Sequence, residues 1–493
     1  MTSTSRLWGN WLIYGLSSMA GRLVGFLMLP IYTRVLSPEE YGIRAMVTVG
    51  VDLVGMVCSL GLITAMVRYY TGESGQERRP EAVSTAYLTT IAVLGAGVAL
   101  GCLAAPWLAR LVLGDAVYAP YLRLGLIALF FTNTMDIGFA YLRLRQRAGM
   151  VALLAMVILA ATLTANIALV VVLRWGVLGI LYGEIATYAV MSTVLAVLTV
   201  REVGVRFVPD LARRMIRYGA PLTMMPFAWL LVSRADGVFL THYGSLAAAG
   251  VYSLALQCAQ VLLITVINPF RDVWDPGQFE VARDPEGGRV YARMFRTFSV
   301  TIVLAAFVFA LGAEDVIRVL AAPAFHDAAA VVPILLAAHV VTGISLFFNS
   351  ALLVKNRTVW LGGIALVTGV VNIAANAVLV PRFFAAGAAS SRLLALLVMA
   401  AITWAVAQRL WPQRVPFGAP LKMVALALGA LAVGELIPDT SFALSVLLKG
   451  ALTVALVAVS VWVGVLDREE IEGARRLLRR GLRAAGLTRP RPA

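Results

Sequence analysis

The chain has 493 residues, of which 60% are hydrophobic and 14% are charged, with a mean hydropathy of +0.86. A soluble domain carries about 25% charged residues, so this composition excludes a large soluble domain and predicts an all-α polytopic membrane protein. The net charge of +15 would suggest nucleic acid in a soluble protein. In a membrane protein, arginine-rich cytoplasmic loops explain it, and we expect no nucleic-acid partner.

Fourteen apolar segments are long enough to cross the hydrocarbon core as helices, which takes about 20 residues. In chain order they are approximately 11–33, 41–66, 83–105, 119–142, 149–173, 176–200, 217–241, 247–270, 295–313, 329–353, 358–380, 385–408, 421–437 and 444–466. With the N-terminus placed in the cytoplasm, alternation assigns 30 Lys and Arg residues to inner loops and 8 to outer ones. This bias supports fourteen spans with both termini in the cytoplasm.

The second half of the chain repeats landmarks of the first half at an offset of 206 to 208 residues. The matched pairs are Asn166 with Asn372, Gly179 with Gly387, Ser37 with Ser245 and Gly42 with Gly250. Six spans per copy start and end on the same side, which predicts two six-helix lobes related as parallel pseudo-repeats. Repeats of this kind are typical of carriers whose substrate site lies between the halves.

Four regions follow from the repeat. We expect an N-terminal lobe with a cytoplasmic linker over residues 1–208 and a C-terminal lobe over 209–412. Spans 13 and 14, over 413–466, have no counterpart in the repeat. The tail over 467–493 has leucines on one helical face and arginines on the rest, which predicts either an amphipathic helix on the anionic leaflet or a solvated end.

Ionisable residues within spans are the candidate site residues, because each costs about 2.5–3.5 kcal/mol near the bilayer centre. Arg22 lies at the midpoint of span 1, and Asp52, near the middle of span 2, is either its partner or a protonatable coupling group. Arg234 and Asp236 lie two residues apart in span 7 and therefore face different sides of that helix. These four are the predicted cavity residues.

Three further intramembrane residues, Asp136, Glu184 and Arg392, are candidates for ion coupling or for pairing between the lobes. Glu184 and Arg392 lie 208 residues apart, so they occupy equivalent positions with opposite charge, and a pair between them is one interpretation. Arg44 flanks the first outer turn, and we expect it to reach the membrane surface by its long side chain.

Motifs for catalysis are missing from the sequence. It contains no P-loop, no zinc-binding histidine spacing and no G-x-S-x-G turn. We therefore expect a transporter without a cofactor rather than an enzyme, driven by a proton, by sodium or by the membrane potential.

The segments Gly21–Phe26 and Leu29–Gly42 read GRLVGF and LPIYTRVLSPEEYG. They resemble the opening of polysaccharide and lipid-linked oligosaccharide flippases of the multidrug/oligosaccharidyl-lipid/polysaccharide exporter superfamily. The resemblance implies fourteen spans in two lobes around a partly cationic cavity, in the bacterial inner membrane. It also implies alternating access, an undecaprenyl-pyrophosphate-linked glycan as substrate, membrane lipids as surroundings and glycan polymerase or assembly machinery as a partner.

In the related lipid II flippases, arginines of span 1 line the cavity, and Arg22 matches the first of them. Met28 and Leu29 stand where those proteins have a further arginine-aspartate pair, which favours an O-antigen, capsule or exopolysaccharide unit over lipid II. Two alternatives stay open. One is a cation-coupled multidrug exporter of the same superfamily, which Asp52 supports. The other is a membrane glycan polymerase or ligase, although the outer loops are short for such an enzyme.

Overall fold

The computed structural model describes residues 28–72, 79–436 and 442–465, and within these ranges all regular secondary structure is helical. The first nine helices are 28–35 (α1), Pro38–Ser59 (α2), Leu62–Thr71 (α3), Arg79–Leu103 (α4), Ala105–Leu113 (α5), Ala119–Leu144 (α6), Ala148–Asn166 (α7), Gly176–Val203 (α8) and Pro209–Gly219 (α9). The others are Met224–Tyr243 (α10), Leu246–Leu262 (α11), Asn268–Arg283 (α12), Gly287–Leu320 (α13), Val332–Val354 (α14), Val359–Leu410 (α15), Gly418–Gly434 (α16) and Phe442–Trp462 (α17). Most of predicted span 1, including Arg22, and the tail from 467 lie outside the described residues.

Ten helical segments of the described part are long and apolar enough to cross a membrane. One of them, α15, has 52 residues and contains predicted spans 11 and 12, with non-helical backbone at Phe384 between them. A straight helix of that length would extend about 78 Å, more than twice the hydrocarbon thickness, so the kink divides α15 into two crossings. Predicted span 7 corresponds to α10, and span 13 to the shorter α16. The all-α polytopic membrane fold is confirmed, and the number fourteen stays a prediction.

The motif Ser37-Pro38-Glu39-Glu40 forms the N-terminus of α2. The Ser37 hydroxyl accepts a hydrogen bond from the Glu40 backbone N–H at 3.2 Å, and the Glu40 carboxylate accepts one from the Ser37 N–H at 3.0 Å. This reciprocal pair satisfies two backbone donors that a helix start leaves free, and Pro38 has no N–H to satisfy. The motif therefore fixes where α2 begins and in which register its charged side chains follow.

The helices form two compact units. The first comprises the described residues up to Leu254 together with 320–328 and 365–395, and the second comprises 255–319, 329–364 and the described residues from 396 onwards. The boundaries of these units fall within α11, α13 and α15 and in the segment between α13 and α14, so they follow contacts rather than the sequence repeat. The predicted lobes over 1–208 and 209–412 stay a prediction.

In the first unit, helices α2 and α11 approach each other as closely as their backbones permit. A Cβ atom added to Gly42 would lie 1.9 Å from the carbonyl oxygen of Leu246, and one added to Gly250 would lie 2.0 Å from that of Pro38. Both Gly42 with Gly250 and Pro38 with Leu246 are pairs at the 208-residue offset. The contact is therefore reciprocal, as contacts across a twofold axis are, and it needs glycine on both sides.

The same unit contains the helix pair that positions two of the candidate acids. Helix α6 packs on α8 through a buried cluster of Met135, Phe139, Leu142, Met191 and Leu195. Asp136 follows Met135 directly on α6, and Glu184 lies on α8. This apolar contact fixes the register of both helices and hence the direction of each carboxylate.

The second unit has an aromatic core. Phe347 on α14 contacts Trp274, Tyr291 and Phe295, with ring centroids 4.7, 5.6 and 5.3 Å apart. The Tyr291 hydroxyl donates to the Phe347 carbonyl oxygen at 2.9 Å. Buried tyrosines need such a partner for the hydroxyl, so this core is both apolar and internally satisfied.

Helix α17, predicted as the last span, is attached to α13 of the second unit by charge. Lys449 forms an ion pair with the Asp315 carboxylate at 2.5 Å, and the Ser445 hydroxyl donates to the other carboxylate oxygen at 3.1 Å. Both charged side chains are largely buried. Helix α17, for which the sequence predicts no repeat partner, is therefore held by a specific contact with α13.

Candidate functional site

The site is organised by α10, which has one charged residue on each of two sides. Arg234 contacts Asp52 on α2, whereas Asp236 contacts Arg392 on α15. Two positions along a helix correspond to a rotation of about 200°, and the contacts agree with the sequence-based expectation that these side chains diverge. Helix α10 therefore joins α2 to α15 through two separate ion pairs.

The Asp236 carboxylate lies in a closed polar network. Its Oδ2 atom accepts hydrogen bonds from Arg392 Nε at 2.6 Å and from the Tyr252 hydroxyl at 2.9 Å, and its Oδ1 atom accepts one from Asn376 Nδ2 at 3.0 Å. Arg392 Nη2 also donates to the Ser233 carbonyl oxygen at 2.7 Å. Asp236 is fully buried and Arg392 nearly so. A buried charge persists only when it is paired and hydrogen-bonded, and this pair satisfies both conditions.

Two asparagines extend the network along α15. Asn376 Nδ2 also contacts the Asn372 side-chain oxygen at 3.1 Å and its backbone oxygen at 2.9 Å. Both residues are fully buried, and Asn376 Oδ1 and Asn372 Nδ2 have no hydrogen-bond partner among the described residues. Asn372 is one of the repeat landmarks, so the sequence marked this position without indicating what it contacts.

The Asp52–Arg234 pair is of a different kind. The Arg234 Nη2 and Asp52 Oδ2 atoms are 2.9 Å apart, and 43% of the Arg234 side chain and 34% of the Asp52 side chain remain exposed. Charged groups exposed to lipid tails at this depth are costly, and they usually face an aqueous space. The pair therefore indicates a water-accessible region beside α2 and α10.

Arg44 corrects the sequence-based expectation that it extends to the membrane surface. Its guanidinium forms an ion pair with Glu184 on α8 and also bonds to the Thr48 hydroxyl at 2.5 Å. Less than a third of either charged side chain is exposed. Arg44 therefore links α2 to α8 inside the first half of the chain.

The interpretation that Glu184 pairs with Arg392 is wrong. Glu184 is bonded to Arg44, and Arg392 is bonded to Asp236. The two positions are nevertheless related, because Arg44 and Tyr252 are also 208 residues apart. Arg44 binds Glu184 directly, whereas Tyr252 and Arg392 at the offset positions both donate to the Asp236 carboxylate, so the charge of the second position is inverted.

Asp136 stands apart from these networks. Its side chain is exposed on α6, and within the described ranges it has no ion-pair partner. The same ranges contain no group of three His, Cys, Asp or Glu side chains arranged to hold a metal ion. Asp136 is thus an intramembrane acid without an ion-pair partner in the described part, and Arg143 on the same helix is the base that acts on it electrostatically.

Comparison with known proteins places the chain in a family. The family described as "Polysaccharide biosynthesis protein" matches residues 31–330. The succinoglycan biosynthesis transport protein ExoT of Rhizobium meliloti (strain 1021) is 26% identical over 291 residues. That alignment covers 58% of this chain and 56% of the relative, so it spans little more than half of either protein.

Two solved structures share the fold. The lipid II flippase MurJ in an inward closed conformation superposes with a TM-score of 0.72 at 13% identity, covering 91% of this chain and 98% of that one. An inward-facing multidrug resistance MATE family transporter of the MOP superfamily superposes with a TM-score of 0.60 at 15% identity, covering 79% and 94%. At these identities the likeness shows the fold alone, and the family match leads to the assignment: the chain belongs to the polysaccharide biosynthesis protein family.

Proposed function

We propose that the protein is a flippase that moves an undecaprenyl-pyrophosphate-linked saccharide across the membrane by alternating access of its two halves. The family match over residues 31–330 carries the proposal. A transport protein of succinoglycan biosynthesis and a lipid II flippase are among the proteins to which the chain is similar. These names agree with a transporter rather than an enzyme, and they disfavour the alternative of a glycan polymerase or ligase.

The charges of the described residues support an anionic substrate. A pyrophosphate-saccharide head must cross about 30 Å of hydrocarbon, which requires a polar path with cationic groups. Arg234 is a half-exposed guanidinium inside a predicted span, and a guanidinium forms bidentate, charge-assisted bonds with phosphate oxygens. The lipid tail stays in the bilayer while the head passes along this path.

Other parts of the proposal concern location and energy. We place the protein in the bacterial inner membrane with both termini in the cytoplasm, where its partners are membrane lipids and the glycan polymerase or assembly machinery. Transport is coupled to a proton, to sodium or to the membrane potential. The exposed carboxylate of Asp136, which has no ion-pair partner among the described residues, supports a proton as the coupling ion.

A second candidate is a cation-coupled multidrug exporter. The same Asp136 favours it, because an acid in a span attracts cationic compounds. Against it, Asp52 and Asp236 are both neutralised by arginine. Deleting the gene separates the two candidates: a drug exporter's loss raises sensitivity to cationic dyes, and a flippase's loss does not.

The decisive experiment uses purified protein in liposomes that contain a fluorescent undecaprenyl-pyrophosphate saccharide. Dithionite quenches the label in the outer leaflet, so the fraction quenched reports how much lipid has crossed. We expect crossing with the protein and none with protein-free liposomes. Equal crossing rates in both preparations would refute the proposal.

A further inference from the structure

Two ion pairs on α10 differ in how firmly they are held. The Asp236–Arg392 pair is buried, and further hydrogen bonds complete it. The Asp52–Arg234 pair is half exposed, and no other hydrogen bond of either side chain is found among the described residues. Breaking a buried pair is strongly unfavourable, whereas exposed pairs contribute little to stability. Of the two, Asp52–Arg234 is the one that a ligand is able to open.

We infer that Arg234 is the phosphate-binding group of the transporter and that the Asp52 carboxylate occupies its place until substrate arrives. This inference rests on the proposed function, because it assumes an anionic head. A carboxylate and a phosphate present similar oxygen geometry to a guanidinium. Exchange of one for the other keeps Arg234 paired throughout, and the pyrophosphate, with more charge than one carboxylate, competes well for it.

The exchange has a mechanical consequence. Asp52 lies on α2 of the first half, whereas Arg234 lies on α10 of the second half. A substrate phosphate that displaces the Asp52 carboxylate from Arg234 breaks an ion pair between α2 and α10. The buried network with Arg392 meanwhile keeps α10 attached to α15. Substrate binding is thereby converted into release of one helix from another, which is the step that alternating access requires.

The free hydrogen-bond donors of the Arg234 guanidinium support the inference. Only one of its N–H groups is bonded to a described residue, since the contact with Asp52 involves Nη2 alone. A guanidinium has five N–H donors, so the others remain available to a ligand with several oxygens. By comparison, Arg392 is bonded through both Nε and Nη2 to protein atoms.

The first test measures binding of undecaprenyl pyrophosphate to the full-length protein in nanodiscs, with undecaprenol as the uncharged reference. Asp52→Asn removes the competitor and should tighten binding by up to about five-fold, the limit for an exposed ion pair. Arg234→Gln should weaken it by about ten-fold or more, with Arg234→Lys in between. Glu202→Gln is the matched control, because Glu202 pairs with Arg147 at similar exposure and should leave the affinity unchanged.

The second test follows the distance between α1, which precedes α2, and the C-terminal end of α10. Spin labels at Arg34 and His242, exposed positions 208 residues apart, report the distance between the first and second halves once the native cysteines are replaced. In otherwise wild-type protein, undecaprenyl pyrophosphate should broaden the distance distribution. Asp52→Asn should show the broad distribution without ligand, and Arg234→Lys should show it only with ligand.

The outcomes separate the inference from the function. If the wild type binds undecaprenyl pyrophosphate no better than undecaprenol, the proposed function fails together with the inference. If the wild type binds undecaprenyl pyrophosphate, and Asp52→Asn and Arg234→Gln bind it with the wild-type affinity, the proposed flippase function is retained and the inference is overturned. Thermal unfolding of each variant near the wild-type midpoint establishes that the variants are folded.

Discussion

Arg234 and Asp236 lie two residues apart on α10 and bind partners on opposite sides of that helix. On the Asp236 side, the buried ion pair with Arg392 makes four hydrogen bonds. On the Arg234 side, there is a single half-exposed ion pair. One contact is therefore buried and multiply bonded, whereas the other is half exposed and consists of a single ion pair. This asymmetry defines which helices should move together, and it makes the two sides separately testable.

The buried side predicts a large loss of stability when one charge is removed. Arg392→Leu leaves the Asp236 carboxylate buried without its base, and we expect a loss of about 3–5 kcal/mol. Asp236→Asn combined with Arg392→Leu removes both charges and should recover part of that loss, because no unpaired charge remains. Thermal unfolding of the detergent-purified protein measures both effects.

The control for this comparison is Arg289→Gln. Arg289 forms an exposed pair with Glu286, and both side chains are mostly solvent-accessible. Its loss should change the unfolding midpoint little. An Arg392→Leu variant as stable as Arg289→Gln would show that the network contributes nothing to the fold.

The reciprocal glycine contact predicts a change in stability that is opposite in sign to the usual effect of Gly→Ala in a helix. Within a helix, Gly→Ala ordinarily stabilises by about 1 kcal/mol. Gly42→Ala instead places a Cβ atom against the Leu246 carbonyl oxygen, and we expect a net loss of about 1–3 kcal/mol or separation of the two helices. Gly149→Ala, which meets no atom within 4 Å, should follow the ordinary rule.

Unfolding midpoints and the distance between labels at Arg34 and His242 read out this prediction. Gly42→Ala should lower the midpoint, lengthen the distance, or both. If Gly42→Ala and Gly149→Ala stabilise equally, α2 and α11 do not meet at this contact in the membrane.

The sequence was sufficient to find the fold class and the charged residues, but not their partners. Hydropathy and arginine distribution depend on composition along the chain, so a single sequence reveals them. Pairing depends on which helix faces pack together. Glu184 and Arg392 are equivalent by offset, yet each pairs with a charged residue of another helix, and Arg44 pairs inside the protein rather than reaching the membrane surface.

The polar members of the buried network were harder to recognise because they are uncharged. Tyr252, Asn372 and Asn376 are three among many polar residues in apolar segments. One signal was present: Asn372 and Asn376 are four residues apart and so share a helix face. Buried amides on one face indicate an interhelical polar contact, although not with which helix.

Asp136 provides a test of coupling. Asp136→Asn removes the exposed carboxylate on α6 without disturbing a described ion pair, so binding of undecaprenyl pyrophosphate should stay unchanged. If this acid carries the driving proton, transport under a pH gradient should fall by about ten-fold, while slow transport without a gradient should persist. Glu280→Gln, on the exposed surface of α12, serves as the control. Equal gradient-driven transport by Asp136→Asn and the wild type would exclude Asp136 as the coupling group.

Arg22 carries the prediction that comes from the sequence alone. It lies at the middle of predicted span 1, where a lipid-facing arginine is costly, and we expect it to face the cavity. Arg22→Ala should therefore abolish export of the lipid-linked saccharide. Arg22→Lys should retain part of it, because an ammonium keeps the charge but loses the bidentate geometry. Complementation of a deletion strain, with membrane levels of each variant measured by immunoblot, distinguishes loss of transport from loss of protein. Full export by Arg22→Ala at normal levels would leave Arg234 to bind the pyrophosphate without help from span 1.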